Sequence, residues 1–196
     1  MLEIPNRDRK RDRRTSVRVE ILDAAWSLAR EQGLPGFTLR EVARLVGMQA
    51  PSLYTHFDSR NAIIDAMFGQ AWQECGQAMK EVIPEKPLPA RGWLRLVAHS
   101  YFDFCTSDPV RNQLMNQRSV PGFVPTAESY AHSVAVLDTL STELAGYSVT
   151  RQEDIDLYTA LIGGLVDAQL ANGPGGDRWR RLVDRTVEMY ADNLGL

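Results

Sequence analysis

Apolar residues recur at spacings of three and four along almost the whole chain, from Ile21 to Tyr190. That is the period of amphipathic α-helices, and segments alternating with a period of two are scarce. The expected fold class is all-α, with about nine helices. The pattern stops at a few punctuated places, and these set the organisation. Gly33 ends a first helix that runs from about Thr15 to Gln32, in the manner of a left-handed cap residue. Gly47 ends a second. "IPEKPLP", residues 83–89, carries three prolines and is the clearest break in the chain. "RSVPGFVPT" (118–126) reads as a long loop and "NGPGGD" (172–177) as a short connection, in which Gly173 can cap one helix and Asp177 the next.

The expected organisation has four parts: a basic arm over residues 1–14, a compact helical unit over 15–60, a connecting fourth helix over 61–83, and a second helical domain over 84–196. With 196 residues, 44% of them apolar and 24% charged, the chain can bury a core without staples. No apolar run is long enough to span a membrane, and no apolar segment follows the basic N-terminus. A cytoplasmic protein with no membrane partner is expected. Cys75 and Cys105 lie in apolar helical patterns without flanking Lys or Arg, so they read as buried thiols rather than a redox pair.

Charge is unevenly distributed. Residues 1–60 hold 11 Lys or Arg against 8 Asp or Glu, whereas the remainder holds 11 against 17. Between Arg7 and Arg18 there are seven basic and two acidic side chains. Such an arm can neutralise phosphates.

The stretch "TLREVARLVGMQAPSLYTHFDSR" concentrates the local signals. Thr38 followed by Glu41 is a capping box. Leu39, Val42, Ala43 and Val46 form one stripe. A short third helix, "QAPSLYTHF", follows Gly47, with Pro51 in its first turn, where a missing N–H has no intrahelical partner. Leu53 and Phe57 are four apart and point inward. The polar remainder contains no acidic side chain. A helix, a tight break and a second short helix make a helix-turn-helix, whose second helix fits a DNA major groove.

These residues resemble the DNA-binding domain of the TetR family of transcriptional regulators. The resemblance covers about residues 15–65 and rests on Ile21, Leu22, Ala24, Ala25, Glu31, Gly33, Thr38, Val42, Ala43 and Gly47, then on Leu53, Tyr54, His56 and Phe57. It implies that Gln49, Ala50, Ser52 and Thr55 face base edges. It implies phosphate contacts from Thr38, Arg40, Tyr54, His56 and Arg60, where Arg60 stands in place of the family's usual Lys. Arg13 and Arg14 are the candidates for an adjacent minor groove. The implied partners are a double-stranded DNA operator, a small-molecule effector and a second copy of the chain.

The second domain carries weaker signals. Aromatic and soft residues cluster there, and Trp93, His99, Tyr101, Phe102, Met115, Phe123 and Tyr130 are the candidate pocket residues. The eighth helix is apolar on two faces, so it needs two partners. Helices eight and nine are expected to pair with their copies through Leu161, Gly164, Leu165, Ala168, Leu182, Val183, Thr186, Val187 and Tyr190.

The function expected is a dimeric repressor that a small molecule releases from a palindromic operator. The alternative is a helix-turn-helix regulator that answers to a protein partner or acts as an activator. An enzyme is disfavoured. Tyr54, His56 and Asp58 lie within five residues, and no metal-ligand, Gly-x-Ser-x-Gly or phosphate-loop motif is present. No metal and no cofactor are expected.

Overall fold

The computed structural model describes residues 9–196, with side chains from Arg14 onward. Among them are nine α-helices and no strand: α1 (Arg9–Gln32), α2 (Leu39–Leu45), α3 (Ala50–Leu53), α4 (Arg60–Val82), α5 (Ala90–Ser107), α6 (Pro109–Asn116), α7 (Ala127–Gly146), α8 (Gln152–Asn172) and α9 (Val183–Leu194). The helix α1 starts at Arg9, earlier than the expected Thr15, so part of the basic arm is helical. The chain divides into two compact units. The first holds residues up to Met67 together with Arg118–Pro125, and the second holds Phe68–Gln117 and Thr126–Leu196. The long loop expected within the second domain thus belongs to the first unit.

In the first unit the α1 stripe is buried at Ile21, Ala25, Leu28 and Ala29. Val42 and Ala43 of α2, Leu53 of α3 and Ile63, Ile64 and Met67 of α4 are buried as well. The loop between α1 and α2 turns at Gly33, whose φ of 81° is a conformation that L side chains resist. Leu34 and Phe37 then drop into the core. Two carbonyls of this loop are held by one side chain. The Arg60 guanidinium donates from Nε to the Phe37 carbonyl at 2.9 Å and from Nη2 to the Leu34 carbonyl. It also lies over the Phe37 ring, 4.8 Å from the centroid.

The second unit is built around α5, α8 and α9. Trp93, Leu94, Val97, Ile162, Val166 and Val187 are among its buried members. Two tyrosines tie the layers together through their hydroxyls. Tyr158 donates to the Leu94 carbonyl at 2.6 Å, Tyr190 donates to the Asp154 carbonyl at 3.0 Å, and their rings pack 5.2 Å apart. Arg91 closes the outside, with bonds to the Leu196 carbonyl, Glu188 and Asp192. The α7 helix approaches α4 closely at two glycines seven residues apart. A Cβ on Gly69 would stand 3.3 Å from Ser129 Oγ, and one on Gly76 3.2 Å from Val136 Cγ2.

The final helix begins later than the sequence suggests. Asp177 does not cap it; the chain passes instead through a 3-10 turn at Arg180–Leu182. The reason is the buried Gln169 side chain. It accepts from the Trp179 N–H at 3.0 Å and donates to the carbonyls of Gly173 and Gly176. Three backbone groups of the connection are thereby held in a non-helical path.

Replacing Arg60 with Ala is expected to lower the stability of the first unit by about 1–2 kcal/mol, because two carbonyls lose a charged donor and Phe37 loses its cover. Arg60→Lys should recover only part of that, since an ammonium cannot form the two-armed contact. Urea unfolding of the three proteins measures the difference.

Candidate nucleic-acid interface

The helix-turn-helix is assembled from local signals. Thr38 caps α2: its Oγ1 accepts from the Glu41 N–H at 3.3 Å, and Glu41 Oε2 accepts from the Thr38 N–H at 2.8 Å and hydroxyl at 2.7 Å. Those bonds hold the Glu41 carboxyl below its usual range. At the far end Gly47 has φ 67°, and the Met48 N–H reaches back to the Ala43 carbonyl at 2.8 Å. This closes α2 and turns the chain into α3.

The regular part of α3 is only Ala50–Leu53, with Gln49 as its N-cap and Pro51 in its first turn. The expected helix through Phe57 stops earlier, because the bonds tighten from Ser52 and Leu53 onward. Thr55 and His56 donate to carbonyls three residues back. Leu53 and Phe57 are buried, as their spacing suggests. Gln49, Ser52 and Thr55 are exposed and Ala50 half-buried. Tyr54 is 52% exposed. The Thr55 hydroxyl donates to the Ser52 carbonyl at 2.7 Å, which leaves its oxygen as an acceptor. Thr38 and Arg40 are exposed at the start of α2.

Two arginines of α1 hold the end of the α3 turn. Arg14 donates to the Thr55 carbonyl at 3.3 Å, and Arg18 donates to the His56 carbonyl. The Arg18 guanidinium also covers the Phe57 ring at 3.9 Å. Arg14 was a minor-groove candidate on sequence, and here it is engaged with the protein backbone. The Arg13 side chain lies outside the described residues. Arg18 was not singled out by the sequence. Its one available signal was the i, i+4 spacing from Arg14, which puts both on one face of α1. His56 is half-buried, with Nδ1 buried and unbonded. Burial, then Arg14 and Arg18, push its pKa below the usual value, so the ring is neutral near pH 7. Arg60, a phosphate candidate, has two of its nitrogens turned to the loop carbonyls described above.

The second unit contains a cavity of about 390 Å3, within the range of small-molecule sites. Tyr101, Met115 and Tyr130 line it, as do Phe68, Trp72 and Asn112. Four other pocket candidates sit elsewhere. Phe102 is in the core, as is Trp93, which also lines a second depression on α4, α5 and α7. His99 bonds to Asp184 at 2.8 Å, and Phe123 belongs to the first unit. Of the residues expected between copies, Val183, Val187 and Tyr190 are 0%, 0% and 2% exposed within their own unit. They correct the expectation, because periodicity marks an apolar face without saying which neighbour it meets. Leu161 and Gly164 are exposed, while Leu165, Ala168, Leu182 and Thr186 are partly buried. Leu157 and Met189, 43% and 63% exposed, also face outward.

Among the described residues no group of three His, Cys, Asp or Glu is placed to hold a metal ion. Among the described residues no helix is long and apolar enough to cross a membrane. Cys75 and Cys105 are buried, and burial raises their thiols to about 12 and about 11, so neither is a thiolate at neutral pH.

Residues 21–67 match the family model described as bacterial regulatory proteins of the tetR family. The class D tetracycline repressor of Escherichia coli is 38% identical over 50 residues, which span 26% of this chain and 23% of that protein. The fold extends further than the sequence likeness. The regulatory protein SCO4313 superposes with a TM-score of 0.75 at 21% identity, covering 93% of this chain and 98% of its own. The transcriptional regulator FadR of Bacillus subtilis, solved with stearoyl-CoA, gives 0.68 at 19% identity, covering 88% and 96%. Residues 21–67 thus carry the helix-turn-helix signature of bacterial regulatory proteins of the tetR family, set among the described residues in an all-helical fold like that of these structures.

Proposed function

We propose that this protein is a cytoplasmic transcriptional repressor that binds a palindromic duplex operator as a homodimer and lets go when a small molecule enters its second unit. The observation that carries the reading is the α3 turn. It exposes Gln49, Ser52, Tyr54 and Thr55 while Leu53 and Phe57 anchor it from behind. A polar surface without an acidic group, anchored by two buried side chains, suits a major groove. Gln49, Ala50, Ser52 and Thr55 read base edges, with Gln able to pair adenine and Ala to touch a thymine methyl. Thr38, Arg40, Tyr54 and His56 position the protein on phosphates, the imidazole donating a hydrogen bond and gaining charge as the pH falls. Arg60 reaches phosphate only with the nitrogen it has left. Tyr54 and His56 are therefore positioning groups and not an acid–base pair.

Dimerisation uses the outward face of α8 and α9, at Leu157, Leu161, Gly164 and Met189, with Ala168 and Leu182 at its edge. Exposed apolar side chains on adjoining helices support this. Two readers on one dimer gain affinity from two half-sites. The repressor role is supported by the tetracycline repressor likeness, and the effector role of the cavity by the stearoyl-CoA found in the Bacillus subtilis structure. Two covalent links lead from the cavity wall to the first unit. One is α4, which is continuous from Arg60 to Val82. The other is the loop Arg118–Pro125, which follows the cavity-lining α6. An effector that prefers one arrangement of these links shifts the population between binding and released states.

Duplex binding is measured by fluorescence anisotropy across a salt series. Arg40→Ala should weaken binding to every duplex and reduce the salt slope by about one counterion. Tyr54→Phe should weaken binding to all sequences without changing their order. Gln49→Ala should instead change which bases are preferred at one position, by about 1–3 kcal/mol. Unchanged affinity and slope in Arg40→Ala contradict its phosphate role. His56 gives a pH signature. Phosphate beside it raises its pKa above the depressed value of the free protein, so binding takes up a proton. Affinity should rise as the pH falls from about 8 towards 6, and His56→Gln should flatten that rise.

A further inference from the structure

The walls of the second unit's cavity specify the chemistry of what enters. Most of the lining is apolar or aromatic, with Phe68, Trp72, Met115, Leu140 and Ile162 among its members. Among the described residues no Lys, Arg or His lines it, and Asp167 is its one charged side chain. Arg111 does not line it, and its guanidinium is tied to other groups, though its Nε is buried without a partner. It donates to the Phe104 carbonyl and the Ser107 hydroxyl, stacks 3.6 Å over Phe104, and lies 3.6 Å from Glu74. Asp167 is exposed and accepts from Gln117 at 3.2 Å.

The polar groups of the wall are almost all satisfied within the protein. Ser133, Tyr158 and Thr159 donate their hydroxyls to the carbonyls of Tyr130, Leu94 and Asp156. Tyr101 donates to Asn116 Oδ1, and Asn116 Nδ2 donates to Asn112 Oδ1 at 2.8 Å. Two donors are left over. Asn112 is fully buried, yet its Nδ2 has no acceptor, and the Trp72 indole N–H is buried without one. An unsatisfied buried donor is costly and rare in a native interior. Both residues belong to the cavity lining, and Trp72 also borders the second depression.

We infer that the effector is a neutral, largely apolar molecule carrying a hydrogen-bond acceptor, such as the carbonyl of an ester, ketone or lactone, which Asn112 Nδ2 and Trp72 Nε1 receive. A carboxylate or phosphate finds no cation in this wall and would be buried without a counter-charge. A hydrophobic cation leaves both donors without an acceptor. This assignment rests on the cavity being the effector site of the regulator proposed above. The acceptor also gives the molecule its orientation, since the remaining wall is non-directional.

The test uses the full chain and four probes of one tail length: methyl octanoate, octanoate, octyltrimethylammonium and octane. Binding is followed by calorimetry and by the shift in melting temperature at neutral pH, with methyl hexanoate and methyl dodecanoate covering other lengths. The methyl esters should bind at least about tenfold more tightly than either charged probe, the equivalent of one satisfied donor. Asn112→Leu should weaken the ester about tenfold while leaving octane unaffected. If that variant fails to fold by circular dichroism, Trp72→Phe removes the second donor while keeping an aromatic ring and should also weaken the ester selectively. Equal or tighter binding of octanoate or octyltrimethylammonium, or no binding of any ester, overturns the assignment. Duplex binding by the same preparations is measured separately. Its presence with a failed ester preference rejects only the ligand class, and its absence rejects the regulator reading itself.

Discussion

Everything at the proposed reading surface depends on holding a helix that cannot hold itself. The regular part of α3 is four residues long, far below the roughly 12–15 at which an isolated helix becomes even marginal in water. Its order comes from its neighbours. Leu53 and Phe57 are buried under it, the α2 cap and Gly47 turn fix its entry, and Arg14 and Arg18 hold the Thr55 and His56 carbonyls at its exit. Arg18 over the Phe57 ring joins the exit clamp to the anchor. The frame leaves the polar face of the turn exposed and fixes where it points. Its basic side chains therefore serve the fold as well as any phosphate, and a loss of DNA binding in an arginine variant has to be read beside its stability.

Arg60 shows the same double use. The TetR resemblance implies that this basic residue at the start of α4 is a phosphate contact, and its charge suits that role. The fold engages it with two carbonyls of the α1–α2 loop, which carries the Thr38 cap of α2. Sequence spacing has no access to such a contact, because residues 34 and 60 meet only when the first unit closes. The same limit applied to Arg18 and to the interior of the second unit. What was legible was local. Gly33 and Gly47 were expected as breaks and have left-handed φ values. The Thr38–Glu41 box forms with both of its bonds. The buried spacing of Leu53 and Phe57 needed only helical geometry.

The second unit was less legible for a physical reason. Helical periodicity identifies apolar faces but assigns no partner to them. Val183, Val187 and Tyr190 looked like a surface for a second copy and are core. Trp93 and Phe102 looked like pocket lining; one faces a different depression and the other is packed. The cavity's most informative residue, Asn112, carried no sequence signal. An asparagine in a short helix is ordinary until its Nδ2 is found buried without an acceptor. The late start of α9 has a similar origin, since the Gln169 amide satisfies backbone groups of a loop whose sequence suggested a capped helix.

The central claim is that the α3 turn reads duplex DNA in two symmetric copies. Selection of bound duplexes from a random pool by this chain tests it most directly. The account predicts enrichment of an inverted repeat, with half-site centres separated by about one helical turn, roughly 34 Å, or a multiple of it. A pool that never departs from its starting composition, or that converges on single-stranded or unsymmetrical sites, would contradict it.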